Sequence, residues 1–203
     1  GMLSQGTVFA ANTVGVPLRL DCGPKDRVAD GAAVASATIK YPQGATFDPA
    51  NPDRLISYGW SRSTAVTDWK VASSEDDLRT DGCNLRASKT DSLVLDVEDG
   101  IYNVKVIYGD QTTRGAFTVE AGSGFDSVRT ENPLVIAHAG SWKEHVLRGV
   151  RVTGQRLTIS ITAIGDHARF NGFEIQRVGE SASSKLSIEL SRNTLLELSL
   201  IHI

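Results

Sequence analysis

The stretch SLVLDVEDGIYNVKVIYGD, residues 92–110, decides the fold class. Leu93, Leu95 and Val97 recur at every second position, and Tyr102, Val104, Val106 and Tyr108 resume that spacing after Asp99-Gly100. A period of two turns one face of an extended chain into a core and the other toward water, as in a half-buried β-strand. Asp-Gly tolerates the positive φ of tight turns, so the stretch predicts two strands joined as a β-hairpin. It closes on Gly109-Asp110, a small residue and a carboxylate at a sheet edge, where sandwich proteins carry ligand loops.

The same pattern recurs on both sides. Leu157, Ile159 and Ile161 alternate with Thr158, Ser160 and Thr162 after a turn at Gly154-Gln155. Further strands are expected at 16–22, 35–39, 115–121, 133–138, 144–152 and 170–178. No stretch before residue 185 carries a sustained 3.6-residue apolar stripe, and neither a βαβ pattern nor an internal repeat occurs. The spacing predicts an all-β chain, an antiparallel β-sandwich of jelly-roll type. Residues 28–56 are rich in Gly, Pro, Asn and Asp. So long an irregular excursion is expected to be functional or to wrap the surface. Glu75-Asp76-Asp77 and Asp96, Glu98 and Asp99 read as solvated faces.

The organisation expected is a lead-in over 1–15, with Gly1-Met2 as a tag remnant, then a sandwich over 16–178 and a linker and atypical tail over 179–203. The closing Leu198-Ser199-Leu200-Ile201-His202-Ile203 resembles translated sequencing-adapter read-through, as in metagenomic gene sets, and no function is assigned to it.

With 203 residues and a formal charge of −3, the chain has length for one full core and scattered rather than clustered basic residues. Neither nucleic acid nor a membrane is therefore expected as a partner. The N-terminus lacks the basic start and apolar run of a signal peptide. Cys22 and Cys83 leave two readings open, buried small hydrophobes or one disulfide.

Four segments, in order, resemble the galactose-binding-like domain (malectin or carbohydrate-binding-module type) at the front of β-agarase-like and rhamnogalacturonan acetylesterase-like enzymes. They are Arg19-Leu20-Asp21-Cys22-Gly23-Pro24, Tyr58-Gly59-Trp60, Asp99-Gly100-Ile101-Tyr102 through Gly109-Asp110, and Phe170-Asn171-Gly172-Phe173-Glu174-Ile175. The chain departs from that family where Leu20 and Cys22 replace aromatics, and after Trp60. The resemblance implies a jelly-roll fold, a non-catalytic accessory role beside a polysaccharide-acting catalytic domain, and an extracellular or periplasmic setting. It also places Asn171, just before the last strand, at the sugar-binding edge, and implies one structural Ca²⁺ between the first and last strands, with Asp21 and Glu174 as its carboxylates.

Sugar recognition needs a flat aromatic face for the C–H side of a pyranose and polar forks for its hydroxyls. Tyr58, Trp60, Trp69 and Trp142 are the stacking candidates; Asp110, Arg114, Arg169 and Asn171 are the polar ones. For Trp60 a core position competes with that role, Asp110 could cap a turn, and Asn171 could hold a loop shut. Catalytic patterns score lower. There is no Gly-x-Ser-x-Gly elbow, no His-Glu-x-x-His spacing, and no phosphate cradle, since Gly122-Ser123-Gly124 lacks the following Lys. Tyr108, His138 and Arg151 have the residue types of a jelly-roll polysaccharide lyase, but no spacing joins them. The reading is a non-catalytic carbohydrate-binding module for an oligo- or polysaccharide. Its rivals are a lyase or esterase fragment and a purely structural sandwich.

Overall fold

The computed structural model describes residues 17–42, 46–47, 55–61, 65–70, 81–110, 115–137, 140–180 and 192. In chain order the strands are β1 (Pro17–Asp21), β2 (Ala33–Val34), β3 (Thr46–Phe47), β4 (Leu55–Ile56), β5 (Tyr58–Trp60), β6 (Val66–Lys70), β7 (Asp81–Arg86) and β8 (Thr90–Asp96). They continue as β9 (Gly100–Asp110), β10 (Gly115–Ser123), β11 (Asp126–Arg129), β12 (Leu134–Ile136), β13 (Ser141–Val152), β14 (Arg156–Ile164) and β15 (His167–Gly179).

Among the described residues, two sheets enclose the core. The larger has seven strands in the order β13-β9-β15-β1-β2, with β7 and then β6 continuing from β15 beside β1. The smaller has six, β11-β10-β14-β8-β5, with β12 beside β10. Except for a short parallel contact between β1 and β2, the strand pairs are antiparallel. Successive long strands alternate between sheets: β8 lies in the smaller, β9 in the larger, β10 in the smaller, β13 in the larger, β14 in the smaller and β15 in the larger. This is a jelly-roll sandwich, as the alternation in sequence predicts.

The 92–110 stretch forms both expected strands, but they are not a hairpin. β8 pairs with β14 and β5, whereas β9 pairs with β13 and β15. Asp99-Gly100 is a corner between sheets. Arg177 fixes it, donating from Nη2 to the Asp99 carbonyl at 2.8 Å and pairing through Nη1 with Glu98 at 3.5 Å. The Gln155 amide adds a bond to Asp99 Oδ1 at 2.7 Å. Gly100 is required by closeness: a Cβ there would lie 2.8 Å from the Gly179 carbonyl oxygen. The acidic run is thus structural rather than solvated. Asp96 accepts a hydrogen bond from the Tyr41 hydroxyl at 2.8 Å and lies 3.8 Å from Arg156 Nε. A true two-residue hairpin occurs instead at Gly124-Phe125, between β10 and β11. The 75–77 cluster lies outside the described residues.

The long excursion after β1 is a strap across the end of the core. The expected strand at 35–39 is a turn, because its backbone groups are taken up by side chains. Trp60 Nε1 donates to the Ala35 carbonyl at 3.1 Å, and the Tyr58 hydroxyl donates to that of Val34. Asp68 accepts from the Ser36 hydroxyl at 2.6 Å and the Ala37 amide at 2.7 Å. The strap then meets β5 edge-on, through Trp60 N–H to the Ile39 carbonyl and Tyr41 N–H to the Trp60 carbonyl, both 2.8 Å. It passes so close that a Cβ on Gly59 would lie 2.5 Å from the Lys40 carbonyl carbon. Gly59→Ala is therefore expected to cost about 1–3 kcal/mol, the usual penalty of forcing atoms into a filled space. Urea denaturation measures it, and an unchanged midpoint would show that the strap yields freely.

At the centre, aromatic rings from both sheets meet. Phe170 contacts Trp60 at a centroid distance of 5.6 Å, Phe173 at 5.8 Å and Phe117 at 6.1 Å. Cys22 and Cys83 are free thiols, fully buried, and burial raises the pKa of both.

All four tyrosines, Tyr41, Tyr58, Tyr102 and Tyr108, have raised pKa values, first of all through burial. Tyr58 is pushed up to about 12, with nearby Cys22 adding to the shift. The unfolded chain releases these protons near pH 10. Folding therefore retains protons, and stability is full below pH 10 and falls as pH rises toward 12. A native-state absorbance titration should show little phenolate at pH 10. A full phenolate signal there, with far-UV circular dichroism intact, would contradict this.

Candidate functional site

The larger sheet has a continuous row across five strands: Lys143, Tyr108, Phe170, Cys83 and Asp68, each paired with the next. One residue nearer the end where β9 finishes, Trp142 lies opposite Gly109, and Arg169 lies opposite Asn84. Successive side chains alternate faces, and Tyr108 and Phe170 point into the core. Trp142, Arg169 and Asn84 therefore share the outer face. Two strand spacings separate Trp142 from Arg169, about 10 Å between Cα atoms. Gly109 between them carries no side chain, leaving a trough.

One wall of the trough is organised around Asn84. Its Oδ1 lies 3.0 Å from His167 Nδ1 and accepts from Arg169 Nε at 3.4 Å. The Arg169 guanidinium lies over the Trp69 ring, 5.1 Å from its centroid. Trp69 is only 9% exposed, and its Nε1 donates to the Cys83 carbonyl at 3.2 Å. The indole thus holds the guanidinium over its face in a cation–π arrangement.

Of the eight residues expected to bind sugar, three reach this outer face with described side chains: Trp69, Trp142 and Arg169. Asp110 ends β9 opposite Ser141, next to Gly109. Its side chain, and Arg114 altogether, lie outside the described residues, as does His138. Tyr58 and Trp60 are corrected. Both are 0% exposed in the sandwich core, so neither offers a face to a ligand. By alternation both side chains share one face of β5, and the sequence did not show that this is the core face, where Trp60 meets Phe170 and both side chains bond to the strap.

Asn171 lies within β15, the middle strand of the larger sheet, rather than before it, and its side chain is buried. It occupies a bulge between Phe170 and Gly172, where β15 changes partner from β7 to β1. Its carbonyl accepts from Cys22 N–H and its Nδ2 donates to the Asp81 carbonyl, both at 2.9 Å, so it joins the two strands. Its Oδ1 is buried with no hydrogen-bond partner among the described residues.

Farther along the same outer face is a pocket of about 240 Å³ lined by Arg19, Asp30, Ile107, Glu144 and Glu174, among others. Glu174 faces Arg19 at 3.6 Å and Lys105 at 3.7 Å, and Lys105 also reaches Glu144 at 3.5 Å. The implied calcium pair does not fit this arrangement. Two cations already hold the Glu174 carboxylate, while Asp21 is buried and its Oδ2 accepts from the Ala29 amide at 2.5 Å. A divalent ion between the two would have to displace those partners. Asn84, His167 and Glu144 are the site residues that sequence reasoning missed. Outward alternation on strands adjacent to Arg169 and Trp142 is the signal that locates them once the register is known.

The sequence matches no protein-family model and no curated protein. Among solved structures, the fold is similar to part of β-glucuronidase 2 from Bacteroides uniformis, represented by its D341A D367A calcium-binding mutant. There the identity is 12%, the TM-score 0.51, and the match covers 80% of this chain but 18% of the enzyme. A second structure, titled as the β-glucuronidase of the same organism, gives 11% identity and a TM-score of 0.50 over 80% of this chain and 18% of that one. TmCBM61, solved in complex with β-1,4-galactotriose, is 16% identical with a TM-score of 0.40, over 60% of this chain and 88% of that one. What the chain shares with the two β-glucuronidase structures is the fold, a jelly-roll sandwich, and nothing in it marks the agarase-like or esterase-like families in particular.

Proposed function

We infer that this chain is a non-catalytic saccharide-binding module whose site is the trough on the outer face of the larger sheet. The observation that carries this reading is the Arg169 guanidinium lying over the Trp69 ring beside Asn84 and His167, with Trp142 across Gly109. A planar donor fork opposite an indole matches the two faces of a pyranose, hydroxyls on one and C–H groups on the other.

The fold's likeness to 18% of a larger β-glucuronidase supports an accessory role beside a catalytic domain acting on a polysaccharide, outside the cytoplasm. Tethering would raise the local concentration of that domain on its substrate.

A glycan panel and calorimetry on the full chain test the reading. Arg169→Ala and Trp142→Ala are each expected to weaken binding about tenfold, the loss of one charge-assisted bond or one stacking contact. Both side chains are half-buried, so thermal unfolding of each variant is measured alongside, and a loss of binding larger than the loss of stability explains assigns the residue to the ligand. No binding to any plant or algal glycan would favour a structural sandwich. Turnover of pectin, agarose or alginate fragments would favour an enzyme.

A further inference from the structure

The geometry points to a second binding site, for an anionic pyranose, in the cleft between the sheet edges where β13 faces β11 and β12. The cleft measures about 440 Å³. Its floor is aliphatic, with Leu134 and Leu147 only 6% and 2% exposed. Its rim carries Arg129, His145 and Arg148 against one acid, Glu131. Arg129 is shared with Glu120 at 3.5 Å; among the described residues, neither Arg148 nor His145 has an ion-pair partner.

This site is separate from the trough. Trp142 and Glu144 point outward from β13, whereas His145 and Leu147 pair with the core-facing Val106 and Val104 and point between the sheets. Val146 and Arg148 line it from the strand's other side, so the cleft wraps the edge of β13 and is set apart from the trough by distance, six residues or about 20 Å of strand from Trp142 to Arg148.

The composition selects the ligand. An aliphatic floor covers the C–H face of a sugar, and exposed guanidinium groups complement a planar or tetrahedral oxyanion, bidentately where they can. A neutral sugar could accept hydrogen bonds there but would leave the positive charge of the rim unpaired. A sugar carboxylate and a sugar sulfate share the required chemistry. The pyranose part of this inference rests on the saccharide reading above; the anion part does not.

Calorimetric titration of the full chain with an oligogalacturonate, a sulfated galactan oligomer and a neutral galactan oligomer tests it. At least one anionic oligomer is expected to bind, more weakly as salt is raised. Arg148→Ala should weaken that binding about tenfold, and Arg169→Ala should leave it unchanged. Arg148 is exposed, so unfolding of the variant should match the parent. Whichever anion binds identifies its source as uronate or sulfate. If neither binds, or if Arg148→Ala has no effect, the cleft proposal is overturned. Loss of neutral-sugar binding in Arg169→Ala with no anionic response would overturn the cleft alone. Anionic binding that depends on Arg148, with no neutral binding at all, would uphold the cleft and remove the trough.

Discussion

Trp60→Ala is expected to lower the free energy of unfolding by about 3–5 kcal/mol, the cost of emptying a large aromatic site in a core. The indole is 0% exposed, touches Phe170 and holds the strap through Ala35. Its removal opens a cavity and leaves the buried Ala35 carbonyl with only the weak Cys83 thiol donor at 3.4 Å, so little of the loss can be recovered by collapse. For a domain of this size the melting temperature should fall by roughly 10 °C or more. Trp60→Phe keeps most of the volume and removes the hydrogen bond, so its cost should be nearer 1–2 kcal/mol. Urea denaturation of both variants gives the comparison. A Trp60→Ala protein that unfolds like the parent yet loses glycan binding would return this residue to the ligand and contradict its place in the core.

Asn171→Asp should be comparably damaging, about 3–5 kcal/mol, because it places an unpaired carboxylate at a fully buried position. One of its oxygens would face the Asp81 carbonyl in place of the Nδ2 donor. Buried Asp21 and Asp81, on the two strands that Asn171 joins, give it no cation. Burial would raise the pKa of the introduced carboxyl in the folded state. The folded variant then holds its proton to higher pH than the unfolded chain does. Its deficit should shrink as pH falls toward about 4, where both states are protonated, and reach its full value at neutral pH. Asn171→Ala, which adds no charge, should cost about 1–3 kcal/mol with no such pH dependence. Denaturant midpoints at acidic and neutral pH separate the two. Parallel pH profiles would show that water or another group already reaches this position.

The strands themselves were legible because alternation records which residues face a core. Leu93 to Val97 and Tyr102 to Tyr108 are buried at every second position, as their spacing requires. Alternation does not record which sheet a strand joins, and Asp-Gly suits a corner as well as a hairpin. The partners that decide between these, Arg177 and Gln155, lie far along the chain. The candidate site was legible in the same partial way. Trp69, Trp142 and Arg169 stood out by residue type, but Tyr58 and Trp60 stood out equally. The opposite sheet and the strap, a stretch with no regular signal, together determine that the latter two are covered. Asn171 was expected just before the last strand at a ligand edge; it lies within β15, and the bulge that buries its side chain has no local signature.

β15 is the middle of the larger sheet and the last strand of the sandwich to be synthesised. It lies between β9 on one side and β1 and β7 on the other. Until the ribosome has released His167 to Gly179, those three strands have no common partner and their edges remain open to other chains. Completion of this sheet thus waits for its central strand, and until then the partly built sheet presents unpaired edges that favour association over folding.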